Sequence, residues 1–280
     1  MRLRKKISAV VFHTFVVILG IVMIYPILWM ISSSFKENSD VFATSNKLIP
    51  EVWNFSSYSK GFESFGGTSF LTFFKNSFIY TIVYTIGIVL STAVSAYAFA
   101  RIKFRGRNFW FVCMILTMLL PAQVLQIPRY ILFKHLGWLD SYLPLVVPAY
   151  LGTGFNIFLV MQFMRGIPKD FDEAAKIDGC NRFMIFSRII VPMIVPSLIT
   201  VTIFAFYGAW DDFMGPLLYL STPSKYPVSL GLKMFSDPEA GSDWPTMFAM
   251  ATLSLVPIFV VFFGLQKFLV DGVVIGGVKG

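Results

Sequence analysis

Six long stretches of the chain carry no Asp, Glu, Lys or Arg: 9–35, 76–100, 108–128, 141–164, 189–210 and 247–266. A helix needs about 20 apolar residues to cross the hydrocarbon core of a bilayer. Each stretch reaches that length, so the pattern predicts an all-α integral membrane protein with six transmembrane helices. Little chain is left between them, and residues 1–280 read as one transmembrane domain. Helical periodicity adds little, because lipid-facing and buried faces are both apolar. Small residues add more. Gly87, Ser91 and Ser95 recur at four-residue spacing, with Thr92, Ala96 and Ala100 on the adjacent row. Such rows let helix backbones approach closely in lipid, so the second span belongs inside the bundle.

Composition agrees. Charged residues make up 14% of the chain, against about 25% in soluble domains. The net charge of +8 raises the question of nucleic acid, and position answers it. With the N-terminus inside, the inner segments hold 15 Lys and Arg and the outer segments 8. The positive-inside rule then puts both termini in the cytoplasm, and the basic excess reads as topology. The first apolar run is too long for the core of a signal peptide, and no clear A-x-A site follows it directly, so it is expected to stay as a span. Cys113 falls in a span and Cys180 in an inner loop, which argues against a disulfide.

Prolines interrupt most spans: Pro26, Pro121, Pro144, Pro148, Pro192, Pro196 and Pro257. Each removes a helical hydrogen bond and can kink its helix. Of the outer segments, 36–75 places Gly66 and Gly67 at a turn, and 129–140 is short. Segment 211–246 is too long for a simple turn and is expected to be functional.

Several chemistries are missing. No G-x-x-x-x-G-K-[ST] is present, so this chain should not cradle ATP phosphates. No H-E-x-x-H or Cys/His cluster suggests a metal, and no G-x-S-x-G suggests an acyl-transfer enzyme. His13 and His135 read as packed or interfacial. No charge lies mid-span, where titrating groups mark proton or ion relays. Energy for any transport should come from a partner.

The most informative segment spans the inner loop 165–188 and the start of the fifth span. It reads IPKDFDEAAKIDGCNRFMIFSRIIVP, Ile167 to Pro192. Asp170 can cap a short helix, with Glu173 in capping-box position. Asp172 and Glu173 suit the positive end of its dipole. Ala174 and Ala175 are strong helix formers of small bulk. Gly179 suits the left-handed turn that ends a helix, and Asn181 can cap the next one.

E-A-A, three residues, Gly, nine residues and I-x-V-P resembles the E-A-A loop of ABC importer permeases, with Val191 replacing the usual Leu. Further segments carry the resemblance over most of the chain. They are YAFARIKFRGR (97–107), IPRYILFKHLGWLDSY (127–142), WDDFMGPLL (210–218, with Asp211 where Asn is usual) and the tail GVVIGGVKG (272–280). Together they are similar to the carbohydrate, maltose-type branch.

The resemblance implies a type I ABC importer permease fold in a bacterial or archaeal inner membrane. It implies a second permease, two ATP-binding cassette subunits that bind ATP and Mg, and an extracytoplasmic solute-binding protein. No cofactor is expected in this chain. Glu173, Ala174, Ala175, Asp178 and Gly179 would couple it to the ATPase. The implied mechanism is alternating access for a carbohydrate, with Gln123, Gln126, Asn156, Tyr207 and Trp210 as pathway candidates. The same residues also serve helix packing. A polyol, amino acid or peptide cargo, or a secondary transporter without an ATPase, are the alternative readings.

Overall fold

A computed structural model describes residues 2–65, 67–235 and 242–277. The chain is mostly helical. It begins with α1 (Arg2–Ser33), α2 (Asp40–Ala43) and α3 (Ser56–Phe62). A two-stranded antiparallel hairpin, β1 (Ser64–Phe65) with β2 (Thr68–Ser69), pairs Ser64 with Ser69 and Phe65 with Thr68. Then come α4 (Phe70–Arg101), α5 (Arg107–Leu119), α6 (Gln126–His135), α7 (Leu143–Val146) and α8 (Gly154–Arg165). The rest are α9 (Asp170–Ile177), α10 (Arg182–Met184), α11 (Val191–Trp210), α12 (Met214–Tyr219), α13 (Val228–Met234) and α14 (Trp244–Gly277).

Among the described residues, five segments are long and apolar enough to cross a membrane: Ala9–Ser33, Phe70–Arg101, Leu143–Arg165, Arg182–Trp210 and Trp244–Phe268. A sixth is a pair, Arg107–Leu119 and Ala122–His135, bent by 100°. The span expected over 108–128 is therefore broken at Pro121, one of the prolines expected to interrupt it. Leu120 is extended (φ −79°, ψ 123°) and precedes Pro121. The proline ring disfavours helical backbone in the residue before it, so α5 stops there. The stretch 141–164 is also interrupted. A 3-10 turn over Val147–Leu151 runs into Gly152, at φ +89°, before α8 begins. By contrast, Pro26, Pro196 and Pro257 lie inside unbroken helices.

The chain folds as two units: 1–71 with 232–256, and 72–231 with 257–280. In the first, Phe35 contacts the rings of Trp53, Phe55 and Tyr58. Lys36 Nζ donates to the carbonyls of Thr44 and Lys47 at 2.8 and 2.9 Å. Burial lowers the pKa of this ammonium, against the opposing pull of the Asp40 charge. Gly67 sits at φ +83° in the hairpin turn; its expected partner, Gly66, lies outside the described residues, as do 236–241 and 278–280.

In the second unit, the core is built from Ile88, Val160, Met161, Met164, Ile190, Ile194 and Val201. The row of small residues on α4 faces this core: Thr92 and Ala96 are fully buried. Ser91 Oγ donates to the Ala149 carbonyl at 2.8 Å. A Cβ on Gly87 would come within 2.6 Å of the Tyr150 ring. The absence of a side chain there sets the close approach of the two segments.

Candidate functional site

The 165–188 connection folds as a short helix, a sharp break and a second helix. At its start the capping-box expectation fails. The N-cap is Lys169, with helical backbone (φ −73°, ψ −16°) and no side-chain cap. A capping side chain needs an extended residue at that position. Here Asp170 already lies in the first turn. The Lys169 carbonyl instead accepts the N–H groups of Asp172 and Glu173, at 2.9 and 3.1 Å.

The end of α9 matches the sequence closely. Gly179 has φ +81°. Its N–H donates to the Lys176 carbonyl at 3.1 Å, and the Cys180 N–H donates to the Ala175 carbonyl at 2.9 Å. This bond pair is the Schellman motif, which needs a left-handed residue where Gly179 stands. Asn181 then caps α10, its Oδ1 accepting the Met184 N–H at 2.9 Å. The i→i+5 turns of Ile185–Ile190 lead on to α11.

One face of α9 is anchored. Asp172 Oδ2 lies 3.3 Å from Arg101 Nη1, with side chains 11% and 5% exposed. Arg101 Nη2 also donates to the Ile167 carbonyl at 2.8 Å. Tyr97, one turn earlier on α4, donates through its hydroxyl to the Arg182 carbonyl at 3.3 Å. Ala175 is buried against the core cluster. Sequence reading assigned Asp172 to the helix dipole and missed this pairing.

The opposite face is bare. Glu173, Ala174, Asp178 and Gly179 are exposed, and Ile177 is 87% exposed. Among the described residues, no side chain pairs with the Glu173 carboxylate. Of the five expected coupling residues, only Ala175 turns inward. A cavity of about 410 Å³ opens beside the helix. Arg101, Lys103, Lys169, Lys176 and Arg182 line it together with Asp172 and Glu173.

The pathway candidates fall on three elements. Gln123 and Gln126 flank the bend after α5, Gln123 exposed and Gln126 half-buried. Asn156, in the first turn of α8, donates to Thr153 Oγ1 at 2.8 Å. Tyr207 and Trp210 end α11. Tyr207 is exposed, whereas Trp210 is 4% exposed and meets the rings of Phe74, Phe78 and Phe206. The Trp210 ring thus packs among aromatic neighbours.

The segment after α11 is an ordered polar network over 211–231. Asp212 accepts from Tyr80 Oη at 3.1 Å and from the Gly215 N–H at 3.0 Å. Asp140 accepts from the Ser221 and Thr222 N–H groups, each at 3.0 Å, and from Thr222 Oγ1 at 2.7 Å. Lys225 Nζ and these donors hold the Asp140 carboxyl well below the usual carboxylate range. Asn76 Nδ2 donates to the carbonyls of Ser224 and Tyr226 at 2.8 and 3.0 Å. Among the described residues, no three His, Cys, Asp or Glu side chains are placed to share a metal ion.

Residues 84–275 match the family described as binding-protein-dependent transport system inner membrane component. The galactooligosaccharides transport system permease protein GanQ of Bacillus subtilis is 30% identical, covering 100% of this chain and 99% of the relative. The arabinooligosaccharides transport system permease protein AraQ of the same organism is 27% identical, covering 95% and 94%. A crystal structure of a bacterial ABC transporter involved in the import of the acidic polysaccharide alginate has the same fold. It gives a TM-score of 0.82 at 24% identity, over 94% of this chain and 96% of that one. The chain is a multi-pass membrane permease subunit rather than an enzyme, and it belongs to the binding-protein-dependent transport system inner membrane component family.

Proposed function

We propose that this chain forms, with a second permease, an alternating-access pathway that imports an oligosaccharide across a bacterial inner membrane. The whole chain acts as one permease domain of six spans, the bent pair α5–α6 counting as one. Both termini and the α9 connection lie in the cytoplasm, where the positive-inside rule puts the basic segments. Two partner ATPase subunits bind ATP and Mg, and a solute-binding protein delivers the cargo from outside.

One observation carries this reading: α9 is held firmly on one side and presents an unpaired acidic and apolar face on the other. Glu173, Ala174, Asp178 and Ile177 form that face. A small, anchored helix with an open face can seat in a partner's cleft and pass on its movement. The oligosaccharide class is supported by the cargo named for the GanQ and AraQ relatives.

The cycle has two halves. In the first, ATP binding closes the two ATPase subunits. The α9 helices of the two permeases move with them, and the pathway turns from inward to outward facing. The outward state receives solute from the binding protein. In the second, ATP hydrolysis lets the ATPases part and returns the pathway to the inward state.

The test is reconstitution of the two permeases and the ATPase in liposomes, with the binding protein added outside. A galactooligosaccharide or arabinooligosaccharide should accumulate inside only when ATP is enclosed. Uptake that persists without ATP, or in the absence of the ATPase subunits, would overturn the proposal.

A further inference from the structure

The loop carrying α9 is continuous in sequence with α8 on one side and with α10 and α11 on the other. Covalent connection alone would hand any movement of α9 to those two spans. The hydrogen bonds describe a different attachment. Tyr97 and Arg101 stand four residues apart, on one face at the end of α4. Residues at that spacing lie one above the other on a helix. Arg101 holds the start of α9, through Ile167 at 2.8 Å and Asp172 at 3.3 Å. Tyr97 holds its exit, through the Arg182 carbonyl at 3.3 Å. The Tyr97 ring also rests 5.0 Å from that of Phe186. The second span thus grips the connection before and after α9.

Burial makes this grip more than a surface contact. The Arg101 and Asp172 side chains are 5% and 11% exposed. A buried pair that loses one partner leaves a charge uncompensated, so the pair resists separation. Ala100 and Ala175 are buried in the same core cluster, so apolar contact backs the polar bonds. The α4 helix is itself inside the bundle through Gly87, Ser91, Thr92 and Ala96.

We infer that Tyr97, Arg101 and Asp172 are positioning residues that fasten α9 to α4, so that the second span moves as one body with the coupling helix. The inference rests on the coupling role proposed above for α9. It assigns the first step of force transfer to a span that the loop does not adjoin in sequence.

The test uses the full complex of both permeases and the ATPase subunits, with Cys113 and Cys180 of this chain replaced by Ser. Spin labels go on cysteines placed at Lys176, which lies off the docking face of α9, and at Val94, both exposed. Electron-electron resonance then reads their separation without nucleotide and with Mg and a non-hydrolysable ATP analogue. A single separation, unchanged by the analogue, is expected. A shift on analogue binding would overturn the inference.

The variant Tyr97→Phe/Arg101→Met/Asp172→Leu removes every polar tie without leaving a buried charge unpaired, so assembly is expected to survive. Its label separation should shift or broaden when the analogue binds. An unchanged, narrow separation in this variant would reduce the three residues to ordinary packing. Tyr97→Phe alone removes one hydroxyl and supplies the same comparison should the triple variant not assemble. Its separation should broaden at the α9 exit; an unchanged one overturns the Tyr97 half. Failure of the unaltered chain to co-purify with the ATPase subunits would instead remove the coupling reading itself.

Discussion

Lys225 Nζ sits 2.7 Å from Asp140 Oδ2 and 2.6 Å from the Asp140 carbonyl oxygen. One ammonium therefore closes the loop after α12 onto the connection between α6 and α7. Asp140 adopts φ +54° to do this, the one described non-glycine residue with positive φ. Asp is among the few side chains that tolerate that region.

This clasp predicts a pH dependence with a defined sign. The folded state holds the Asp140 carboxyl below its ordinary value. A depressed carboxylate contributes stability that is fully present above the unfolded pKa. That stability is lost as pH falls through the folded value. Asp140→Asn keeps a residue that accepts positive φ and removes the charge. It should lower the apparent melting temperature of the purified complex by a few degrees at neutral pH. The gap from the unaltered protein should narrow as pH drops below the usual carboxylate range. A gap that stays constant with pH would mean that the charge is not what holds the loop.

Gly87 makes a steric prediction. A Cβ there would meet Tyr150 Cδ2 and Cε2 at 2.6 Å. Tyr150 is held in place by its hydroxyl, which donates to the Val83 carbonyl at 3.1 Å. Gly87→Val should cost about 1–3 kcal/mol, as overpacking does. Tyr150→Ala in the same chain should recover part of that loss. Thermal aggregation of the detergent-solubilised protein would measure both, and an undiminished midpoint in Gly87→Val would show that the two helices can separate freely.

Topology can be read at Cys180. Its backbone is fixed by the Schellman bond to Ala175, and its side chain is half-buried. In a Cys113→Ser background, a membrane-impermeant maleimide should leave intact cells unlabelled at this position and label them after permeabilisation. Labelling of intact cells would place the α9 connection outside and reverse the assignment of both termini.

How much of this was legible in the sequence depends on what each feature needs. The long apolar helices were, because lipid demands long runs free of charge, and the runs stand out without knowledge of the fold. Breaks within them were not. Pro121 ends α5, while Pro26, Pro196 and Pro257 are carried inside helices. The same residue has opposite outcomes because neighbouring segments decide whether the freed carbonyl is satisfied. The Gly179 turn was legible since few residues adopt φ +81°. The Asp170 cap was misread because Lys169 is already helical, a backbone fact no letter carries. Arg101 and Asp172 are far apart in the chain, and both residue types are ordinary at their positions. Only the fold brings them together.

The face of α9 supports the last prediction, which concerns Glu173 and Gly179. Two readings compete for Glu173. In one it caps its own helix, a role worth about 0.5–2 kcal/mol. In the other its charge meets a basic residue of the ATPase. The capping role has lost its geometry, because Lys169 occupies the N-cap with no side-chain bond. The carboxylate is exposed, so its charge is available to a partner. Glu173→Gln keeps the size and helix propensity of the side chain and removes only the charge. Gly179→Leu acts differently. No atom lies within 4 Å of the Cβ position, so space is not the obstacle. The obstacle is φ +81°, where a left-handed backbone costs an L-residue about 1–2 kcal/mol. The strain should unwind the Schellman turn and tilt α9 without deleting any docking group. Both variants should insert and co-purify with the second permease. Each should lose ATP-driven uptake and binding-protein-stimulated ATP hydrolysis by at least about fivefold, the low end for a coupling free energy. Measuring both rates in liposomes separates the cases. Uptake at the unaltered rate in Glu173→Gln would make the charge dispensable, and full activity in Gly179→Leu as well would remove the coupling role from this helix.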